Sequence, residues 1–204
     1  MTNRFLIPAW IILLILSLSF TTDDPKYVKK IKKHRKKQAK HFKKDADSPF
    51  VRGNIPYKPV PYYAPNERYK VMAKLELTPE AKPFEMPTST DRMAKYVKYG
   101  ILTFELDGQT HQLSVYRNLR LTDMEEYKDY LFLPFKDYTN GNGSYGGGRY
   151  LDMKVSGGDE MEIDFNLCYN PYCAYGDMFS CPIPPEDNHL KIEIPAGVKV
   201  ADKH

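Results

Sequence analysis

A chain of 204 residues is long enough for one domain with a proper core plus an extension, and 16 tyrosines favour strands and packed loops over a helical bundle. The formal charge of +4 sums two unlike pieces. Pro25–Lys44 carries eleven Lys/Arg and no acid, whereas Asp45–His204 carries eighteen Lys/Arg against twenty-four acids, which argues against a body built to bind nucleic acid.

Residues 1–22 are expected to be a signal peptide or an anchor. Phe5–Phe20 is a largely apolar run behind Arg4, and Ser17-Leu18-Ser19 closes it with small residues, as in a secretory signal. The run is shorter than the ~20 residues a spanning helix needs, so a retained anchor is the alternative. No cysteine precedes Cys168, which excludes a lipoprotein anchor here. The dense positive charge that follows pulls the other way, because it favours a cytoplasmic flank. The expected localisation is exported, in the periplasm or cell envelope, and membrane-anchored if Phe5–Phe20 stays uncleaved.

Residues 23–46 read as a basic helix. Asp23 or Asp24 caps it, Pro25 suits its first turn, and Tyr27, Ile31 and Phe42 share one stripe with Ala39 beside it. The opposite face is almost all lysine. Three roles compete for residues 26–44: a solvated helix docked on the acidic body, a contact with an anionic membrane surface, or, least favoured, nucleic-acid binding. Residues 47–66 form a connector in which five prolines forbid a helix and four aromatics suggest packing on the body.

Residues 67–204 should form a β-rich domain. Tyr69–Leu77 alternates as a strand, and Thr78–Pro87 reads as a loop. Tyr99–Leu106 and Gln109–Tyr116, joined by Asp107-Gly108, are the clearest hairpin. Asp123–Lys128 suggests a short helical turn, Tyr130–Pro134 a strand and Leu190–Ile194 a last strand. The predicted class is mainly β: a small antiparallel barrel or sandwich with an N-terminal basic helix.

The densest chemistry lies between Leu131 and Leu190. Arg149–Val155 and Glu160–Asn166 both alternate, with turn residues between them, so a second hairpin is expected. Alternation puts Asp152 opposite Leu151 and Met153, and Asp164 with Asn166 opposite Ile163 and Phe165. Asn140–Gly148 is a glycine-rich loop with Arg149 at its edge. It reads either as an anion-binding concavity or as a plain turn with a structural arginine. It matches neither nucleotide-binding glycine motif.

Five blocks in order carry a resemblance: Phe135-x-Asp137-x-Thr139-x-Gly141, Tyr145-Gly-Gly-Gly-Arg-Tyr-Leu-Asp152, Asp164-Phe-Asn166, Tyr169-Asn-Pro-x-Cys-Ala-Tyr175 and Cys181-Pro-x-Pro-Pro-x-x-Asn188. They resemble the uncharacterised prokaryotic domain-of-unknown-function family numbered 1684, densely over Leu131–Lys199 and more thinly back to Ser48. The resemblance implies membership and no assigned activity. The chain departs from the pattern at Cys168, where alanine or another small residue is more usual, and in its basic N-terminal third.

Export makes a Cys173–Cys181 disulfide the economical reading, with Cys168 a free thiol. Three buried thiols are the alternative. A zinc site of Cys173, Cys181 and His189 lacks a fourth ligand and any CxxC pair, and Asp137–Asn142 misses the spacing of a calcium loop, so no metal or cofactor is expected. There is no GxSxG elbow, and no base is identifiable for Cys173. Asp137, Asp152 and Asp164 are therefore the candidate acid/base groups. The favoured reading is a pocket for a small polar or anionic ligand, with Tyr145, Tyr150 and Tyr169 as walls and Arg149, Asp152, Asp164, Asn166 and Asn170 as polar fixtures. A hydrolase on that scaffold and a structural or interaction module of the cell envelope are the alternatives. The pocket and the hydrolase both rest on Arg149 and the aspartates meeting around one hollow.

Overall fold

A computed structural model describes residues 23–155 and 157–200. The signal or anchor expected over residues 1–22 lies outside the described residues. Among the described residues, no helix is long and apolar enough to cross a membrane.

Seven antiparallel strands make one sheet that curls into a half-barrel. They are β1 (Lys70–Leu77), β2 (Phe84–Pro87), β3 (Met93–Leu106), β4 (Gln109–Asn118), β5 (Tyr130–Phe135), β6 (Arg149–Lys154) and β7 (Glu160–Asp164). The spatial order is β6-β5-β4-β3-β1-β7, with β2 beside the first part of β3. The long β3–β4 hairpin is the spine. Its turn is Asp107-Gly108, both at positive φ (56° and 73°), as a two-residue turn matching the strand twist requires. The register shifts between Lys98 and Gly100. Any Cβ at Gly100 would sit 2.6 Å from Glu76 O, so only glycine lets β1 approach there.

Three strand readings need correction. Arg149–Val155 and Glu160–Asn166 do not pair as a hairpin: β6 pairs with β5 from Tyr130↔Lys154 to Phe135↔Arg149, and β7 pairs with β1. They are the two open edges of the curl and face one another across a cavity of about 310 Å³. Thr78–Pro87 is not all loop, because Phe84–Pro87 runs along β3 as an edge strand, a position that tolerates Pro87. Leu190–Ile194 joins no ladder. Its backbone bonds to loop and side-chain groups instead, Ile192 O accepting from Tyr138 N–H and Ile194 N–H donating to Asp137 Oδ1.

Inside the curl, Leu102, Leu113, Leu131, Leu133, Ile163 and Phe165 form the main core, each at most 1% exposed. The outer face of β3–β6 is also covered. Tyr96, Tyr116, Phe132 and Tyr150 pack there against Phe179 and Cys181 of the segment after β7.

Helix α1 (Pro25–Lys44) starts as expected, with the Asp24 carboxylate accepting from Lys26 N–H at 2.9 Å and Pro25 in the first turn. Tyr27, Ile31 and Phe42 are its buried side chains. It touches Phe165–Leu167, just past the β7 edge. The proline-rich connector contains a one-turn helix, α2 (Pro49–Arg52), because Pro49 falls at the first helical position behind the Ser48 cap, where no N–H is missed.

Candidate functional site

The predicted site residues do not all converge: Asp152 and Asp164 both line the cavity of about 310 Å³ between the β6 and β7 edges, Tyr150, Asp152 and Tyr169 lie together, and the others sit elsewhere. Arg149 and Asp137 are sealed together, both side chains at 0% exposure, with the guanidinium 2.5 Å from Asp137 Oδ2. Arg149 also donates to the carbonyls of Ile194, Ala196 and Val198, and Asp137 Oδ1 accepts from Thr139 N–H and Ile194 N–H. This network fixes the C-terminal tail to the sheet. The glycine loop beside it is held by its own polar groups: Asn140 donates to Ser144 Oγ and Tyr145 O, and Thr139 pairs with Ser144. At Gly148, φ is +99° and a Cβ would lie 2.8 Å from Phe135 O, so the loop closes only with glycine there.

Asp164 lies under α1. Its Oδ1 accepts from Tyr27 Oη at 2.9 Å and Asn166 N–H at 3.1 Å, while the buried Oδ2 has no partner among the described residues. Burial, then the Asp164 charge, raises the Tyr27 pKa, so this phenol stays a donor. Asn166 clamps the connector by exchanging two hydrogen bonds with the Asn66 backbone at 2.9 and 2.8 Å. Asn170 donates to Lys199 O at 3.0 Å. The expected single hollow around Arg149 and three aspartates is therefore not formed. Asp137, Arg149, Asn166 and Asn170 tie the connector and tail, which also pair with each other through an antiparallel bridge at Tyr62 and Val198.

Asp152 is the exception. It projects from the outer face of β6, with Tyr150 and away from Leu151, as alternation required. Its Oδ1 accepts from Tyr130 Oη at 2.8 Å and Tyr169 Oη at 2.5 Å. Burial first, then the Asp152 charge, pushes both phenols up, so they act as fixed donors.

Two cavities meet at Tyr169 and Tyr172, which line both. One, of about 630 Å³, runs between α1 (His34, Lys37, His41) and Asp152. The other, of about 510 Å³, has a floor of Tyr96, Phe132 and Tyr150 on β3, β5 and β6, and is walled by residues 178–182. The floor rings form a continuous ladder, with Tyr96–Phe132 stacked at 5.6 Å and Phe132–Tyr150 edge-on at 4.7 Å. Arg52, Arg92 and Arg120 stand at the rim, and among the described residues no Asp or Glu lines this cavity. None of the three guanidiniums is in an ion pair among the described residues: Arg92 donates to Ser180 Oγ and O, and Arg52 lies over the Phe179 ring.

Sequence reading found Tyr150, Asp152 and Tyr169 of this region and missed the arginines, Tyr96, Tyr130 and Tyr172. The arginines meet only through the β3–β4 register. Tyr96 faces Asn118, which puts Arg92 and Arg120 at the same end of the hairpin.

The Cys173–Cys181 disulfide is not formed, and all three cysteines are free. Cys181 Sγ instead accepts the Cys173 N–H at 3.2 Å. The Cys181 thiol, and then the Tyr145 hydroxyl at 3.7 Å and Ser89, hydrogen-bond the Cys173 sulfur and bring its pKa down to about 6, against the opposing effect of burial. Cys181 is correspondingly pushed up. Tyr145 thus serves the thiol pair and lines neither tyrosine cavity.

No curated protein matches the chain. A solved structure that does is the solution NMR structure of an uncharacterized protein of Haloarcula marismortui, 33% identical, with a TM-score of 0.66, covering 88% of this chain and 97% of that one. The family described as "Protein of unknown function (DUF1684)" matches residues 56–199, from the connector through the tail that Arg149 holds. That span contains every strand and most of the tyrosine–arginine cavity, and the chain belongs to this family.

Proposed function

We propose that the chain is an exported domain that binds a small anion with a flat or apolar body in the cavity floored by Tyr96, Phe132 and Tyr150. The observation that carries this reading is the rim of three guanidiniums with no carboxylate among the lining residues. Guanidinium presents a planar fork suited to carboxylate or phosphate, and the half-buried Tyr130 and Tyr172 rings give an apolar wall beside the buried floor. Support for export is the apolar run behind Arg4 with its small-residue end.

The hydrolase alternative narrows to Asp152, since Asp137 and Asp164 are enclosed. Two phenols already occupy Asp152 Oδ1, a setting that suits an anchor for the tyrosines better than a free base. Thermal melting with phenyl phosphate, phenol and inorganic phosphate tests the binding reading. Phenyl phosphate should raise the melting temperature most, and Arg92→Ala with Arg120→Ala should abolish the rise. Equal shifts in the parent and the double variant would sink the assignment. The mass of the mature N-terminus tests export, and an intact Met1 defeats a cleaved signal.

A further inference from the structure

The outward side of α1 is composed of a single residue type. At about 100° per residue, the positions opposite Tyr27, Ile31 and Phe42 are ten lysines, from Lys26 to Lys44, with no other residue among them. All ten are exposed, and none is in an ion pair among the described residues. The helix's one arginine is turned inward: Arg35 donates to Tyr63 O at 2.8 Å and lies 4.6 Å from the Tyr62 ring centre. Twenty helical residues span about 30 Å, so the arc is a straight cationic stripe rather than a point site.

We infer that this stripe docks on an anionic lipid bilayer. Charge complementarity is the first argument. Residues 45–204 carry more acids than bases, so the net positive charge comes from this one helix. Chemistry is the second. Lysine is a hydrated point charge without the planar donors that read base edges or grip one phosphate bidentately, so an all-lysine arc suits a diffuse, planar anionic surface better than a nucleic-acid groove. The third is position along the chain, since the apolar run Phe5–Phe20 ends five residues before Pro25 and brings the stripe to the interface if it is retained. The helix is already fixed to the body by Tyr27, Ile31 and Phe42, so docking needs no refolding.

The test is co-sedimentation of the full chain with phosphatidylcholine vesicles and with vesicles containing about one-third phosphatidylglycerol. Each lysine near such a surface contributes about 1 kcal/mol, so Lys29→Gln, Lys32→Gln, Lys33→Gln and Lys36→Gln together should lower the anionic-to-zwitterionic partition ratio about 100-fold or more. These four line neither tyrosine cavity, and helix content should be unchanged. Raising salt to about 1 M, where the Debye length is about 3 Å, should collapse the ratio for the unaltered chain. A ratio near one at low salt, or one untouched by the substitutions, overturns the inference. So does tighter binding to duplex DNA than to anionic vesicles, or a salt-sensitive dimer that the substitutions abolish without any vesicle preference.

Discussion

Arg149 and Asp137 form an ion pair 2.5 Å apart with both side chains fully buried, and the same guanidinium holds three carbonyls of the C-terminal tail. The glycine-flanked arginine that looks like a ligand clamp in sequence is a strut. Removing one member of such a pair leaves the other charge unpaired in the interior. Arg149→Ala should therefore cost about 3–5 kcal/mol, and Asp137→Asn should also destabilise strongly. Asp152→Asn, on an exposed position, should cost much less. Urea denaturation of the three variants checks the order. Similar midpoints for Arg149→Ala and Asp152→Asn would contradict it.

Helix α1 is latched through Tyr27 and Asp164. Tyr27→Phe deletes one of the two donors to Asp164 Oδ1, a hydrogen bond to a charged group whose loss costs about 1–3 kcal/mol. The loss should show as faster amide exchange in Pro25–Lys44 than in β3 and β4. Uniform acceleration across the molecule would mean that the helix does not open separately.

The same helix carries a pH dependence. Burial first, then Arg35 and Lys37, lowers the His34 pKa from its ordinary 6.5, with Asp164 opposing. The unfolded chain therefore takes up this proton at higher pH than the fold does. The associated stability is complete above 6.5 and is lost as pH falls below that value toward the folded pKa. His34→Gln should flatten the melting temperature against pH between about 6.5 and the folded value, and an unchanged slope would remove His34 as the cause.

Cys173 should be the reactive thiol. With its pKa brought down to about 6 by Cys181, Tyr145 and Ser89, its alkylation by iodoacetamide should be half-maximal near that pH. Tyr145→Phe should move the midpoint up. Cys168, which is fully buried and pushed up by burial, should react only on unfolding. A midpoint near the ordinary thiol value of 9.0 would show that the sulfur contacts are not made in solution.

What was legible in the sequence was local. The Asp107-Gly108 turn, the Asp24 cap and the Tyr27/Ile31/Phe42 stripe each depend on neighbours within a few residues, and each appears in the structure. The partners of β6 and β7 were not legible, because short alternating runs pair equally well with any strand of matching face, and here β5 and β1 took them. Glycines, Asp and Arg between Asp137 and Asp152 fit a pocket and a structural turn equally in sequence, because tail-tying and ligand-holding use the same donors and acceptors. Only the position of Ile194–Val198, distant in sequence, separates the two. Arg92 and Arg120 were hidden for the converse reason: each stands alone in sequence, and they come together only through the β3–β4 register.

The central claim is that the tyrosine floor and arginine rim form an anion site, and the most direct measurement is an NMR titration of tyrosine-ring and arginine Nε signals with phenyl phosphate. The account predicts saturable shifts confined to Tyr96, Tyr130, Tyr150, Tyr169, Tyr172, Arg52, Arg92 and Arg120, with the Arg149 signal unmoved. Shifts confined to the lysine stripe of α1, or none at saturating ligand, would contradict it.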